Sequence, residues 1–514
     1  MPELNRKRTL LLGTVSNYGT IFVSIIVALI SVPLGLSYFG PVLYGIWFVI
    51  TSILAYLRIS DFGIGLSTLT LMAQVPDPSR QRVILSRSIK LLLGISVIFI
   101  GIVLIINYLF PGWVGILGKV PLDFQKEAAA ALLAIIIIVL FQLPTTVFSA
   151  AFSGLQKVYW NRFYGALHSI AALGALVTTI LTGGNLLTLA IFTGLGGLLV
   201  GIISGVHLFF AHPQIRPQLR EKVTGGPSTS FLFSSGIRFF SLQIAALIIS
   251  NTDNLIISHC LGPEKVTPYA VTFKLFWMGI LMVNAVTTTL WPMYGQASGR
   301  GDWDWIQRTY NHITSVLVMA GGLILVGGII FSQAIINLWV GPIAYGGLVV
   351  AFALGGYAYI TAFTGSNVSL INGLNPTNIV VIFGLTEAAL NLGISLALVG
   401  LLGIGGVALG TFIASLLINT WFGPLYIRHR TQRKVILEKK PILSHALIVV
   451  FCVILALITV LYLPAGLMKF VTGIAIICLY LVLSWQVIPP NLRGLIKSTI
   501  VEFRNNIKIQ GILN

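Results

Sequence analysis

The sequence predicts an all-α integral membrane fold with fourteen transmembrane helices. Composition, the length of the apolar runs and the placement of the basic residues carry that prediction. Of the 514 residues, 56% are hydrophobic and only 9% charged, against about 25% charged in typical soluble domains. A soluble fold of this length cannot cover so much apolar surface, whereas lipid is a solvent for it. Gly, with 53 residues, is itself more frequent in membrane helices than in soluble ones.

A span needs about 20 mainly apolar residues. In order, the runs cover 13–36, 42–74, 84–110, 126–150, 161–183, 186–211, 231–259, 266–296, 306–331, 342–372, 378–400, 403–427, 443–463 and 466–487. The first follows Arg6-Lys7-Arg8. It outruns a signal-peptide apolar region and has no A-x-A-like site behind it, so it reads as an uncleaved span. With the N-terminus in the cytoplasm, the basic loops all fall inside, and only Lys119, Lys126, Lys265 and Lys469 remain outside. A wrong span count would scramble that asymmetry downstream of the error. Both termini are therefore expected in the cytoplasm, with the chain in the plasma (inner) membrane. The net charge of +18 belongs to these loops, so no nucleic-acid partner is expected.

An internal repeat orders the spans. Gly154-Leu155-Gln156 returns as Gly373-Leu374-Asn375, and Gly165 with Leu173-Gly174 returns as Gly384 with Leu392-Gly393. The glycines 194, 196, 197 and 201 match 403, 405, 406 and 410, and Gly40-Pro41 before Tyr44 matches Gly262-Pro263 before Tyr269. Each copy has an even number of spans, so the copies run parallel about an axis along the membrane normal, as in several transporter folds. The expected organisation is an N-terminal six-helix lobe over 1–211, a cytoplasmic linker over 212–230 and a C-terminal six-helix lobe over 231–427. A basic cytoplasmic loop over 428–442, two additional transmembrane helices over 443–487 and a cytoplasmic tail over 488–514 complete it. The spaced glycines of spans 6 and 12 suit close helix packing; a hinge is the other reading.

There is no Walker A pattern, hence no nucleotide-driven pump is expected. Cys260, Cys452 and Cys478 have no disulfide or metal spacing, and neither metal nor cofactor is expected. The longest outer loop, 111–125, offers only Lys119 and Asp123, little material for an enzyme. The informative residues are ionisable groups inside the spans. Each costs about 2.5–3.5 kcal/mol at the bilayer centre on insertion scales, so such groups usually face an interior cavity. They are Arg58 and Asp61 in span 2, Arg238 and Asp253 in span 7, Lys274 in span 8 and Glu387 in span 11, with His168 at the matching repeat position in span 5.

Two readings stand for most of them. Arg58 and Asp61, three apart, share a helix face and either pair or serve separately. Asp253 and Lys274 lie at similar depth on consecutive helices and suit an interhelical pair. Arg238, near the inner boundary, suits snorkelling to lipid phosphate or a place in a cavity. His168 is either a hydrogen-bonded core residue or a proton carrier. Glu387 has no sequence-near partner, which points to function. A cavity holding Arg58, Arg238 and Lys274 would suit an anionic head group, because the arginine fork binds phosphate bidentately.

The duplicated six-span unit with two further spans resembles the polysaccharide-unit flippases of the MOP superfamily, the O-antigen or Wzx-type exporters. Four stretches carry the resemblance: Leu36-Ser37-Tyr38-Phe39-Gly40-Pro41-Val42-Leu43-Tyr44-Gly45, Asp61-Phe62-Gly63-Ile64-Gly65, Asp253-Asn254-Leu255-Ile256-Ile257 running on to Leu261-Gly262-Pro263 and Tyr269, and Gly373-Leu374-Asn375. The resemblance implies two six-helix lobes, a central cationic cavity and alternating access. The substrate it implies is undecaprenyl-pyrophosphate-linked oligosaccharide, moved from the inner to the outer leaflet for surface polysaccharide such as lipopolysaccharide O-antigen. Implied partners are that lipid-linked oligosaccharide, membrane lipids, and a polysaccharide polymerase or chain-length protein. Asp61 and Asp253 occupy motif positions. The rival readings are an ion-coupled small-molecule exporter of the related MATE branch and an integral membrane glycosyltransferase or polymerase. A cation exporter should have a net acidic cavity, and here basic residues at least balance the acidic ones.

Overall fold

The computed structural model describes residues 3–75, 77–110, 112–217, 240, 243–244, 247–248, 251–374, 377–464, 466–488 and 493–494. Its elements are helices throughout. They run α1 Glu3–Arg58, α2 Ile64–Gln74, α3 Pro78–Leu109, α4 Leu122–Gln142, α5 Thr146–Gly154, α6 Val158–Leu181 and α7 Leu186–Ala211. There follow α8 over 251–261, α9 Val266–Arg300, α10 Trp303–Trp339, α11 Leu348–Gly373 and α12 Thr377–Leu402. The last are α13 Ile404–Asn419, α14 Phe422–Arg430, α15 Lys439–Tyr462 and α16 Leu467–Val487. A bilayer forces this uniformity, since only a helix satisfies all its backbone groups within one segment.

Among the described residues, twelve helices are long and apolar enough to cross a membrane. One of them, Ser16–Asp61, has 46 residues, enough for two crossings at about 1.5 Å per residue. It divides at Gly40, whose φ of 70° and ψ of 174° lie in a region open only to glycine, with Pro41 starting the second half. The seventh expected span is described chiefly by α8. The fourteen-helix membrane architecture therefore stands, with spans 1 and 2 joined as one kinked helix rather than parted by a loop.

The expected duplication shows in backbone detail. Gly262, with φ 100° and ψ 158°, repeats the Gly40 conformation and is likewise followed by Pro. Gly154 ends α5 against α2, a Cβ there falling 2.8 Å from Met72 Cβ. Gly373 ends α11 against α9, where a Cβ would fall 2.6 Å from Tyr294 Cβ.

The helices cluster into two units. The first holds Met1–Val271, Ile336–Tyr345 and Gly384–Gly410; the second holds Thr272–Ile335, Gly346–Phe383 and Thr411–Asn514. Lipid tails are as apolar as leucine, so packing and small residues, not hydrophobic exclusion, hold such helices together. In the first unit the glycine row of α7 does this. A Cβ on Gly194 would meet Ile138 at 2.9 Å, and one on Gly201 would meet Thr145 Oγ1 at 2.4 Å. Bulkier contacts among Ile64, Met72, Leu85, Val147, Phe152 and Leu208 fill its core. In the second unit α15 and α16 pack on α10 through Val326, Ile330, Val449, Cys452 and Tyr480. Polar clasps cross the α10–α11 seam: Tyr310 donates to Asn367 Oδ1 at 2.6 Å, and Thr314 and Ser366 share a bond of 2.6 Å. Such interhelical bonds average about 0.6 kcal/mol.

Candidate functional site

Asp61 sits where the second expected span breaks. The chain turns through a short 3-10 segment, Ile59–Asp61, into left-handed Phe62 (φ 49°) and Gly63 (φ 73°) before α2 begins. The buried Asp61 carboxylate accepts from Gly63 N at 2.9 Å and Gly65 N at 3.3 Å, satisfying donors a new helix start leaves open. A left-handed phenylalanine costs about 1–3 kcal/mol; its ring is held between Phe99 and Phe240, with centroids at 6.1 and 5.1 Å. The Asp61-Phe62-Gly63-Ile64-Gly65 stretch is thus a helix-break device. Asp61 faces backbone amides, and among the described residues no ion pair joins it to Arg58. Arg58, on the last turn of α1, is accessible and lies within electrostatic reach of His168.

His168, on α6, is half-buried. A Cβ on Gly197 would stand 2.9 Å from both His168 Nε2 and Gln142 Nε2, so glycine there lets α7 approach two polar side chains. His168 and Gln142 thus meet α7 at Gly197.

A second polar group gathers around Asp253, which is 3% exposed. The Tyr269 hydroxyl donates to Asp253 Oδ2. On either side, Thr252 Oγ1 and the Tyr56 hydroxyl lie 2.6 Å apart, and Asn254 Nδ2 donates to Ser52 Oγ at 2.9 Å. Ser52 and Tyr56 are four apart on α1, hence on one face, and three consecutive residues of α8 meet that face or Tyr269. The same region closes over Gly45, where a Cβ would fall 1.9 Å from Pro263 O. Thr267 Oγ1 donates to Pro41 O at 2.7 Å. At the end of α8, Ser258 donates to Leu117 O, Lys119 N to Ser258 O at 3.1 Å, and Lys119 Nζ to Cys260 O at 2.7 Å.

Glu387 is buried on α12 in the first unit, and Lys274 is half-buried on α9 in the second. Arg238 lies outside the described residues. Sequence reasoning passed over Ser52, Tyr56, Gln142 and Thr252, and named Asn254 and Tyr269 only as parts of a motif stretch. The i,i+4 spacing of Ser52 and Tyr56, and the polar triplet 252–254, were the available signals. No group of three or more His, Cys, Asp or Glu that would hold a metal occurs among the described residues.

A MatE family profile matches residues 242–365. A protein of Salmonella typhimurium strain LT2, provisionally named an O-antigen transporter, is 27% identical over 197 residues, which is 37% of this chain and 44% of that protein. A Salmonella typhi protein given the same provisional name is 20% identical over 418 residues, 79% of this chain and 93% of that protein. Among solved structures, the inward-closed lipid II flippase MurJ has a TM-score of 0.67 at 17% identity, covering 91% of this chain and 98% of its own. An inward-facing multidrug resistance MATE transporter of the MOP superfamily has a TM-score of 0.64 at 14% identity, covering 82% and 99%. The resemblance read from the sequence is met in relatives and in fold, and these proteins carry transporter or flippase names, not those of enzymes. The chain is a multi-span helical membrane protein whose fold is that of these transporters and whose sequence is similar to the two Salmonella proteins.

Proposed function

We propose that the chain flips undecaprenyl-pyrophosphate-linked oligosaccharide from the inner to the outer leaflet by alternating access, supplying surface polysaccharide synthesis. The sequence likeness to the Salmonella typhi protein along 79% of this chain carries the reading most. The flippase fold extends over 91% of the chain, against 82% for the multidrug transporter. The difference is about the size of α15 and α16, of 24 and 21 residues. Intramembrane cations add chemical support. We assign Arg58, Lys274 and Arg238 the role of phosphate-binding groups, since arginine and lysine in a span are costly unless they serve a partner. To Asp253, Glu387, Asp61 and His168 we assign ion-coupling or cavity roles, with Asp61 also shaping the helix break.

The MatE match over 242–365 favours a second reading, an ion-coupled exporter of small molecules. Thermal shift of the purified chain separates the two. Lipid-linked oligosaccharide should raise Tm by several degrees and hydrophobic organic cations should not. The reverse pattern would replace the flippase reading with the exporter.

A further inference from the structure

One end of the second unit carries a pocket of about 240 Å³ that the transport reading does not use. Ser298 near the close of α9, Trp303 at the first turn of α10, Arg430 closing α14, and Thr431, Gln432 and Lys434 after it line the pocket, with Leu374 at the end of α11. Candidate spans begin or end at Arg300, Trp303, Gly373, Arg430 and Lys439. So many span ends together set the depth of the pocket: it lies where hydrocarbon gives way to head groups. Tryptophan is enriched at that depth. Lys434 Nζ stands 5.2 Å over the Trp303 ring, so ring and ammonium form one wall.

The pocket is built rather than incidental. Gln432 and Arg433 have φ of 51° and 65°, left-handed values that such residues keep only where their surroundings hold them. Here Gln307 of α10 clasps Ile436 from both sides, donating to its O at 2.8 Å and accepting from its N at 2.6 Å. Asn311 Oδ1 accepts from Glu438 N at 3.0 Å. Buried Thr431 donates to Ile427 O at 2.7 Å and accepts from Val435 N at 3.2 Å. The nearby acids are engaged: Asp302 accepts from Trp305 N at 3.1 Å, capping α10, and Glu438 accepts from Asn311 Nδ2 at 3.4 Å. Neither lines the pocket, whose charged lining residues are Arg430 and Lys434, so cations set its sign. Further along α14 towards the membrane, Trp421, Phe422 and Leu425 are 68%, 45% and 60% exposed, a surface suited to acyl chains.

We infer that this pocket binds the phosphate of an anionic phospholipid head group, in the leaflet facing Arg428–Lys440, with the acyl chains along α14. Basic pockets between membrane helices recognise such head groups by charge and depth together, and both are present here. The site is independent of what the chain transports.

Native mass spectrometry of the full chain in detergent tests it, titrating phosphatidylglycerol and, separately, phosphatidylcholine. Phosphatidylglycerol should bind more tightly. Each of Arg430→Gln and Lys434→Gln should weaken it about fivefold, and the pair about thirtyfold, from the worth of one basic residue at a membrane surface. Lys434→Arg should restore binding, and the Tm without lipid should match wild type, which separates lost binding from lost folding. Equal phosphatidylglycerol affinity in wild type and double variant would overturn the proposal, as would equal affinity of wild type for the two lipids. Displacement of bound lipid by inorganic phosphate would also overturn it, making this a free-phosphate site.

Discussion

At the scale of residues, charge was legible and geometry was not. The sequence showed which ionisable groups lie inside spans, because each is conspicuous against apolar neighbours. It could not show that Asp61 faces the amides of Gly63 and Gly65, because that depends on Phe62 and Gly63 turning left-handed. The proposed phosphate role of Arg58 yields a graded expectation. Arg58→Gln should lower substrate affinity about tenfold or more, from the roughly 1.5–3 kcal/mol of a charged hydrogen bond, while Arg58→Lys should restore only part, since the bidentate fork is gone. Lys274→Gln should act like Arg58→Gln. Normal transport by an Arg58→Gln, Asp61→Asn double variant would remove Arg58 from the substrate site. Glu387 makes a separate prediction. Moving one charge through 100 mV is worth about 2.3 kcal/mol, enough to bias a transport cycle. Glu387→Gln should therefore uncouple transport from an imposed ion gradient while substrate binding persists. Equal gradient dependence of wild type and variant in vesicles would dismiss the residue.

At the scale of elements, the runs of apolar residues located the helices, and the glycine-proline pairs located their breaks. Span limits were read less well. Apolarity does not register a kink, so 13–36 and 42–74 looked like two helices where α1 runs through Gly40, and the break at 59–63 lay hidden inside the second. The glycine rows proved to be packing surfaces at Gly194 and Gly201. Close approach makes a contrast measurable. Gly45→Ala puts a methyl within 1.9 Å of Pro263 O and should lower Tm or yield, by about 1–3 kcal/mol of overpacking. Gly174→Ala meets nothing within 4 Å and should be neutral or slightly stabilising, alanine being the better helix former. Equal effects would mean that α1 and the 262–267 turn do not pack as described. Lys119→Cys should crosslink to Cys260 through a short bifunctional thiol reagent, in a chain with Cys452 and Cys478 replaced. Failure to crosslink under any condition would separate the 113–119 segment from α8.

At the scale of the whole molecule, the parallel repeat was legible because the same glycine devices recur in order, and the fourteen-helix count because basic loops alternate with neutral ones. Reporter fusions at Pro111, Gly225 and Lys434 should read outside, inside and inside; an outside reading at Gly225 would break the duplicated topology. Substrate was less legible, since a cationic span residue names a charge and not a sugar. The most direct test of the flippase reading is transbilayer movement of fluorescent undecaprenyl-pyrophosphate oligosaccharide in vesicles reconstituted with the purified chain, followed by the fraction a membrane-impermeant quencher reaches. The reading predicts rapid exposure of the inner-leaflet pool, slowed about tenfold or more by Arg58→Gln, whereas exposure no faster than in protein-free vesicles, under any imposed pH or sodium gradient, would contradict it.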